Sequence, residues 1–393
     1  MYSINIYTEI QNNYQAGIDQ NQETFIYNQG QSDSDLQNEQ SNQVEGLIEP
    51  VHIIQDIIYN TDEEQERYVT KFNEQLEDRQ AKFQCSKYDF LEKLAIQKYR
   101  IILEELKAYI QLDFIIESGE GILFKAKIKQ TNENVVIKFI RQDQKDFEQQ
   151  IKILKELKQF KYFIQLKDHK NIDDIDIYAL VFEECECTID KKIIDINDFD
   201  FTQIILSSIQ GLMILRLKGI LHLDIKPSNL LVKNNLCIYT DFNNSQYKKY
   251  GEAVEVKSYT LNYSPQEQIQ NNTDKVNHLS DVFSLGKTFE YLLNQQKNIQ
   301  NVTFKDKLNY IIQRMIQTVN EVRINCFNVF HQFSKEVARQ FNQDNRVQDI
   351  NNQIKDYKNE IQQLLAQLKN DDDDYFQYLQ QELQKIETFF LEV

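Results

Sequence analysis

Three polar residues of complementary chemistry lie within six positions near the middle of the chain: Asp224, Lys226 and Asn229. They precede the apolar run "NLLV", and a second apolar run, "CIYT", leads directly into Asp241. Two carboxylates and an amide at adjoining strand ends can converge on a divalent cation and on phosphate oxygens. Upstream, Lys138 ends the run "VVIK" and could meet phosphates as a point charge. The same residues could also form only a polar loop. The predicted elements around them distinguish a catalytic site from such a loop.

The elements around this cluster change from strand-like to helical along the chain. Short β-type runs, "DFIIES", "ILFKAKIKQ" and "NVVIKFIR", are separated by the turn-forming stretches "SGEG" and "QTNEN". One amphipathic stretch, "KDFEQQIKILKELKQF", predicts a helix, and two more strand-like runs follow it. From about residue 196 the pattern is mostly helical. A small β-rich lobe and a larger helical lobe are predicted, with a natural ligand cleft between them.

Several motifs in this region, in the right order, resemble those of the eukaryotic protein kinase family. "HLDIKPSN" resembles the H-R-D-L-K-P-x-N catalytic loop and "VVIK" resembles V-A-I-K, while "DFN" stands where the family has D-F-G. "TLNYSPQE" is similar to the segment that ends in A-P-E, and "DVFSLG" to D-V-W-S-x-G. "NEVRINCF" carries Arg323 where the family has an arginine that pairs with that last glutamate, here Glu267. The resemblance covers roughly 112–333 and implies an α+β, bilobal protein-kinase-like fold.

The resemblance implies a role for each residue of the polar cluster. Asp224 would accept or orient the proton of the substrate hydroxyl, and Lys226 would steady the transferring phosphoryl group. Asn229 and Asp241 would hold Mg²⁺, while Lys138 would grip the α and β phosphates of ATP. The implied function is transfer of the γ-phosphate to a protein substrate.

A nucleotide site is implied on the β-rich side of the cleft. The backbone between Glu183 and Cys185 would pair with adenine, and Phe182 would guard the pocket behind it. Leu231 is assigned to the same site by the resemblance. Gly121 aligns with the third glycine of the family's phosphate-binding loop, where glycine lets backbone N–H groups approach phosphate.

The resemblance also implies two bracing residues and a substrate class. His222 and Asp281 would brace the catalytic loop. Lys226, two positions after the catalytic aspartate, and Thr260, seven residues before Glu267, are similar to the Ser/Thr-specific form of the family. Ser and Thr hydroxyls are therefore the predicted acceptors.

The nucleotide clamp departs from the family pattern. Ile116 and Ser118 fall at the first two glycine positions, and Gly119 is out of register. Gln150 stands where a glutamate should pair with Lys138. Replacing a charge-assisted hydrogen bond by a neutral one costs about 1–2 kcal/mol, which slows a step by roughly tenfold or somewhat more. We therefore expect impairment of catalysis rather than its loss.

Two further departures concern regulation. Asn243 replaces the glycine after Asp-Phe, and Asn tolerates the left-handed backbone region better than most residues. Leu223 replaces the catalytic-loop arginine that commonly holds a phosphorylated activation loop in the family. Phosphorylation at Ser258 or Tyr259 is therefore not expected to activate the protein.

Two readings of the function follow from these preserved and altered positions. The first is an active Ser/Thr protein kinase that uses ATP and Mg²⁺. The alternative is a pseudokinase, a binding or scaffold module that has lost its grip on the nucleotide. The departures lie in the nucleotide-binding elements, whereas the residues predicted to bind Mg²⁺ and to accept the substrate proton are present. This distribution favours the active enzyme.

Composition excludes several other classes of function. The net charge of -17 over 393 residues repels phosphate backbones and anionic lipid, so neither nucleic acid nor a membrane is an expected partner. The five cysteines form no C-x-x-C pair, which favours reduced thiols over a disulfide framework or zinc site. No signal peptide is recognised at the N-terminus. A soluble intracellular protein of the cytoplasm or nucleus is predicted.

Extensions are predicted on both sides of the kinase-like domain at 112–333. Residues 1–45 are rich in Gln, Asn and Ser and are predicted to be disordered, and 46–111 are predicted to form a helical extension. In 334–393, apolar residues recur at steps of three and four, at Val347, Ile350, Ile354, Tyr357, Ile361, Leu364 and Leu368. This pattern indicates either a coiled coil for self-association or binding of a partner helix, or a helical hairpin packed on its own domain.

Overall fold

The computed structural model describes most of the chain from residue 107 onward. The described ranges are 107–118, 121–141, 144–172, 177–194, 196–248, 253–296, 302–340 and 347–370. The predicted disordered segment 1–45 lies outside the described residues, as does the predicted helical extension up to residue 106.

The N-terminal part is a five-stranded antiparallel sheet in the order β1-β2-β3-β5-β4. Its strands are β1 (Tyr109–Ser118), β2 (Gly121–Ile128), β3 (Asn134–Arg141), β4 (Leu166–Ile172) and β5 (Ile177–Glu183). Helix α1 (Gln144–Leu157) joins β3 to β4. It buries Phe147, Ile151 and Leu154, one face at helical spacing, and Phe147 stacks on Tyr178 of β5 with ring centroids 3.8 Å apart.

The remainder is mainly helical. After the short strand β6 (Cys187–Thr188), its helices are α2 (Ile189–Ile193), α3 (Asp198–Leu217), α4 (Gln266–Ile269), α5 (His278–Gln295), α6 (Val302–Met315), α7 (Cys326–Gln340) and α8 (Val347–Asn370). Helix α3 is buried around almost its whole circumference, which puts it at the centre of the helical core. A side chain on Gly211 of α3 would lie 2.6 Å from the Tyr239 ring, so glycine permits this close approach.

Among the described residues, four short strands lie around the catalytic loop, which runs from the end of β7 to the start of β8. They are β7 (Ile220–Leu221), β8 (Leu230–Lys233), β9 (Leu236–Tyr239) and β10 (Gln246–Tyr247). The β8–β9 hairpin turns through Asn234 and Asn235, both at positive φ, as a two-residue turn of the primed type requires. The hairpin thereby brings the residues before β8 close to those after β9, which include Asp224 and Asp241.

The observed strand-rich and helical parts confirm the predicted bilobal fold. Within the described residues, no helix is both long enough and apolar enough to cross a bilayer.

Helix α8 carries the heptad pattern noted in the sequence. Its residues Ile354, Tyr357, Ile361 and Leu364 are buried in the core of the same chain. The Tyr357 hydroxyl donates to the Gln210 carbonyl of α3 at 2.9 Å. This burial favours the second alternative, packing on its own domain, for this part of the tail. Residues 371–393 lie outside the described residues.

Candidate active site

An ion pair joins the two sides of the cleft. Lys138 projects from β3 and its Nζ lies 2.9 Å from Oδ1 of Asp241, which follows β9. Each side chain retains only 11% of its solvent exposure. Because the pair is largely withdrawn from water, its attraction is screened less than that of a surface pair. The structure therefore brings together two residues that the sequence separates by 103 positions.

The Asp224 carboxylate is the centre of a polar cluster. Its Oδ1 accepts a hydrogen bond from the Thr260 hydroxyl at 2.8 Å, and its Oδ2 accepts one from Asn229 Nδ2 at 2.9 Å. Lys226 Nζ lies 3.2 Å from Asp224 Oδ2 and donates to the Thr260 hydroxyl at 3.2 Å. A carboxylate in this setting can hold a hydroxyl group while a lysine lies beside it.

Buried backbone contacts hold the catalytic loop in place. The Asp281 carboxylate of α5 accepts from the backbone N–H groups of His222 and Leu223 at 2.7 and 2.8 Å. Leu223 has φ of 66° and Asp241 has φ of 63°. Such left-handed conformations are strained for these residue types and persist only where the surroundings impose them. These contacts agree with the bracing role predicted for Asp281.

His222 links the loop to β9. Its Nε2 lies 2.9 Å from the Thr240 carbonyl, and its Nδ1 lies 3.3 Å from the backbone nitrogen of Asp224. A neutral imidazole protonated on Nε2 satisfies both contacts, because Nε2–H donates to the carbonyl and Nδ1 accepts from the N–H. Its ring also packs on Phe242, with centroids 4.9 Å apart.

Two oxygen-bearing side chains are available for a magnesium ion. Asn229 uses its Nδ2 group to contact the carbonyl and carboxylate of Asp224. Its Oδ1 oxygen lies 3.5 Å from the Ser228 hydroxyl, and the residue directly precedes the hairpin that presents Asp241. Carboxylate and amide oxygens are ligands that Mg²⁺ accepts, and Mg²⁺ commonly uses one or two protein groups plus substrate phosphates. The residues present fit the predicted ion, and in the part of the chain that the structure describes no cluster of three His, Cys, Asp or Glu side chains competes with them.

Gln150 of α1 has a different partner from the one its sequence position suggests. Its Nε2 group donates to Asn243 Oδ1 at 2.6 Å, and the residue is 2% exposed. The carboxylate beside Lys138 comes from Asp241. The sequence predicted Gln150 as a weakened partner of Lys138, whereas in the structure Gln150 bonds to Asn243, in the segment after Asp241.

Gly121 opens β2 at φ of 142°, a backbone conformation that favours glycine. A Cβ atom there would lie 2.1 Å from the Phe139 carbonyl oxygen. Packing of β2 on β3 therefore requires glycine at this position, independently of any contact with phosphate. Gly119 lies outside the described residues.

The segment predicted to bind adenine follows β5. The backbone N–H of Glu183 donates to the Gln165 carbonyl at 3.1 Å, and its carboxylate accepts from the Gln165 N–H and pairs with Lys233. Cys185 and Leu231 are partly buried and pack on the edge of the core. Burial, reinforced by the Glu183 carboxylate, raises the pKa of the Cys185 thiol to about 12. The thiol is therefore protonated at neutral pH and packs against the core as an uncharged group.

Apolar contacts replace the missing arginine at Leu223. Leu223 packs in a small buried cluster with Leu221, Val254 and Val276. Its carbonyl accepts from Gln268 Nε2 at 2.7 Å. Residues near 254 are thus held on the catalytic loop by burial of their apolar side chains.

We expect Val254→Thr to loosen this segment, because a hydroxyl placed among these apolar side chains costs about 1–3 kcal/mol when it is not hydrogen-bonded. Limited proteolysis should cleave the variant faster than wild type in the region of residues 249–260, and phosphatase treatment should leave the wild-type pattern unchanged. Equal cleavage rates for variant and wild type would contradict the packing role.

The predicted pair between Arg323 and Glu267 is confirmed. Arg323 Nη1 lies 2.8 Å from Glu267 Oε1, and the Arg323 side chain is fully buried. Ser280 and Asn320 also donate to Oε1, at 2.9 and 3.0 Å. Burial acts to raise the pKa of Glu267, but hydrogen bonds from Arg323 and Ser280 outweigh it and hold that pKa below its ordinary value. This pair ties α4 to the loop before α7.

Sequence reasoning missed two glutamines that position the site. Gln268 of α4 contacts the carbonyls of Leu223 and, at 3.3 Å, of Ser258. Gln149 of α1 donates to the Ser245 carbonyl at 2.7 Å. An amide side chain that bonds a distant carbonyl leaves no local pattern in the sequence, so no signal marks either residue.

Comparison with known proteins agrees with the geometry. The protein kinase domain family matches residues 115–374, more than half of the chain. A probable serine/threonine-protein kinase of Dictyostelium discoideum is 27% identical over 232 residues, which cover 58% of this chain and 36% of that protein. Cyclin-dependent kinase 10 of Homo sapiens is 25% identical over 243 residues, or 58% of this chain and 65% of that protein. Cyclin-dependent kinase-like 4 of Mus musculus is 25% identical over 221 residues, or 53% of this chain and 64% of that protein.

The family match includes the catalytic loop, the Asp241 turn and helix α8. The chain belongs to the protein kinase family. It spans from about a third to just under two thirds of the length of these three relatives.

Proposed function

We propose that this protein is an active Ser/Thr protein kinase that transfers the γ-phosphate of ATP to hydroxyl groups of protein substrates. The single observation that carries the proposal is the Asp224 cluster. There the Asp224 carboxylate and Lys226 contact the Thr260 hydroxyl at 2.8 and 3.2 Å, and the Asn229 amide contacts the same carboxylate at 2.9 Å. Family membership and the two Ser/Thr-type features, Lys226 and Thr260, support the same activity.

The transfer forms a bond between the substrate oxygen and the γ-phosphorus and breaks the bond from that phosphorus to the β–γ bridging oxygen. Asp224 orients the substrate hydroxyl and accepts its proton, and ADP leaves with the bridging oxygen. Lys226 holds its positive charge beside the Asp224 carboxylate, where negative charge spreads over the phosphoryl oxygens. Lys138, fixed by Asp241, offers a second positive charge on the nucleotide side of the cleft.

Asn229 and Asp241 are the residues that would hold Mg²⁺, which when bound supplies neutralisation of phosphate charge. The nucleotide itself is proposed to lie between Gly121, Leu231 and the backbone of Glu183 and Cys185. This assignment rests on the resemblance and on the position of these residues at the edge of the sheet and core.

Phosphate incorporation into a mixed peptide library tests the proposal. Purified protein with Mg²⁺ and γ-labelled ATP should label peptides with Ser or Thr acceptors and leave matched Tyr peptides at background. Labelling should disappear when EDTA removes the metal. Labelling confined to Tyr peptides would overturn the Ser/Thr assignment, and an absence of labelling in all peptides and of autophosphorylation would overturn the enzyme.

A second function, a pseudokinase that acts as a binding module, is favoured by Gln150, which brings an amide to the position where the family has a glutamate. A thermal-shift titration separates the two kinds of pseudokinase. Stabilisation by Mg-ATP without transfer indicates a nucleotide-binding module, and no stabilisation indicates an empty one.

We further propose a reducing setting, the cytoplasm or nucleus, for this activity. All four cysteines among the described residues are free thiols, at Cys185, Cys187, Cys237 and Cys326. Self-association or a partner helix remains proposed for the tail beyond α8, because the buried face of α8 is already occupied by its own domain.

A further inference from the structure

Two departures from the family pattern contact each other. Gln150, in place of a glutamate, and Asn243, in place of a glycine, lie 93 positions apart in the chain. Their side-chain amides form a hydrogen bond of 2.6 Å, with Gln150 almost fully buried. Considered alone, each residue departs from the family pattern without an evident gain. In the structure the two side chains form one contact.

We propose that Gln150 and Asn243 act as a pair of positioning residues, and that their hydrogen bond fixes α1 to the turn that presents Asp241 to Lys138. This inference rests on the proposed kinase activity. Asn243 lies two positions after Asp241, in the single helical turn that Asp241 precedes, so a bond at Asn243 limits how far the Asp241 backbone can shift. The amide pair thereby stabilises the position of Asp241, and with it the ion pair between Asp241 and Lys138.

The turn needs such support because its backbone is strained. Asp241 has φ of 63°, and the helical turn of Phe242–Asn244 follows it immediately. A non-glycine residue keeps this conformation only while surrounding contacts impose it. Asn243 supplies a side-chain acceptor that a glycine lacks, and Gln150 supplies the matching donor from the buried face of α1.

Neighbouring contacts extend the attachment along one side of α1. Gln149 donates to the Ser245 carbonyl at 2.7 Å, and the Tyr247 hydroxyl donates to Glu156 at 2.8 Å. These two bonds flank the Gln150 contact along the helix and are only partly shielded from water. Among these three donors and acceptors on α1, Gln150 is the most deeply buried, and its partner lies nearest to Asp241, so loss of its bond should affect the Asp241 turn most.

A double-mutant cycle in the full chain tests the pairing. Gln150→Ala and Asn243→Ala should each lower kcat by about tenfold, because each removes the hydrogen bond that joins α1 to the Asp241 turn. The double variant should be no slower than either single one, since both changes remove the same contact. KM for the peptide should change by less than about twofold in all three. A kcat of the double variant roughly a hundredfold below that of wild type, the product of the two single effects, would overturn the pairing.

Hydrogen exchange gives a readout that does not depend on activity. Backbone amides of α1 should exchange faster in Gln150→Ala and in Asn243→Ala than in wild type. Gln144→Ala is the matched control, because Gln144 lies on the same helix with its side chain exposed and bonded only to Glu148 in the described contacts. Unchanged exchange in both site variants would overturn the positioning role even if wild type transferred no phosphate. Inactive wild type with faster exchange in the variants would overturn only the proposed kinase activity.

Discussion

Glu267→Gln is expected to lower the free energy of unfolding by about 3–5 kcal/mol, the usual cost of leaving one charge of a buried pair without its partner. Arg323 has no exposed side-chain surface, so water cannot replace the lost carboxylate. Its remaining contacts, with the carbonyls of Gln317 and Leu279 at 2.9 and 2.8 Å, do not neutralise it. The loss would be a large fraction of the roughly 5–15 kcal/mol that stabilises an ordinary domain.

The pH dependence of this effect follows from the lowered pKa of Glu267. A carboxyl whose pKa is lower in the folded state stabilises the fold fully above its unfolded pKa, near 4.5. That contribution is lost as pH falls through the lower, folded-state pKa. The difference between wild type and Glu267→Gln should therefore stay constant from pH 7 to about 5 and shrink below about 4.5.

Urea unfolding across this pH series measures the effect, with Glu336→Gln as its control. Glu336 pairs with Arg339 at 2.7 Å on the surface of α7, where the Arg339 side chain is 70% exposed. Loss of such an exposed pair should cost at most about 1 kcal/mol. A cost below about 1 kcal/mol for Glu267→Gln, or a difference that grows below pH 4.5, would contradict the buried-pair account.

Asp241→Asn is expected to lower the rate of phosphate transfer by about a hundredfold or more. The variant removes a proposed metal ligand and the partner of Lys138 in one step. Metal ions contribute several kcal/mol of transition-state charge stabilisation, and each 1.36 kcal/mol corresponds to a factor of ten. Transfer rates should be measured over a range of Mg²⁺ concentrations, because loss of a ligand should also raise the concentration needed for half-maximal rate.

Asp306→Asn serves as the matched control, because Asp306 is an exposed carboxylate of α6. Its rate should equal that of wild type. Thermal unfolding of both variants separates loss of catalysis from loss of folded protein. Retention of more than about a tenth of the wild-type rate by Asp241→Asn at saturating Mg²⁺ would show that Asp241 does not carry the proposed role.

The sequence predicted the fold and the catalytic loop because their signals are local. The residues around Asp224 follow one another within a few positions, and the strands beside them alternate with a clear period. The Arg323–Glu267 pair was also predictable, since both residues stand at fixed positions in recognisable motifs.

Long-range side-chain contacts were not predictable in this way. The partner of Gln150 is Asn243, 93 residues away, and an amide can pair with almost any polar group that the fold brings near. Leu223 likewise packs with Val254 and Val276, which belong to no pattern that includes Leu223. In both cases the fold alone decides the partner.

The C-terminal heptad pattern illustrates a different limit. An apolar stripe at steps of three and four buries one helix face, whatever surface covers that face. In α8 the cover is its own domain, and Tyr357 reaches a carbonyl of α3. Periodicity therefore predicts the buried face of a helix but not what covers it.

The rate of γ-phosphate transfer by wild type, compared with that by Asp224→Asn, tests the central claim most directly. Thermal unfolding of both proteins must accompany the assay, because the asparagine keeps the shape of the side chain but turns one of the two acceptor oxygens that Thr260 and Asn229 contact into a donor. With Mg-ATP and a Ser/Thr peptide mixture, wild type should be faster by about 10²–10⁴, the usual contribution of a positioned proton acceptor. Equal rates at background in the two proteins would contradict the assignment of this site to phosphoryl transfer.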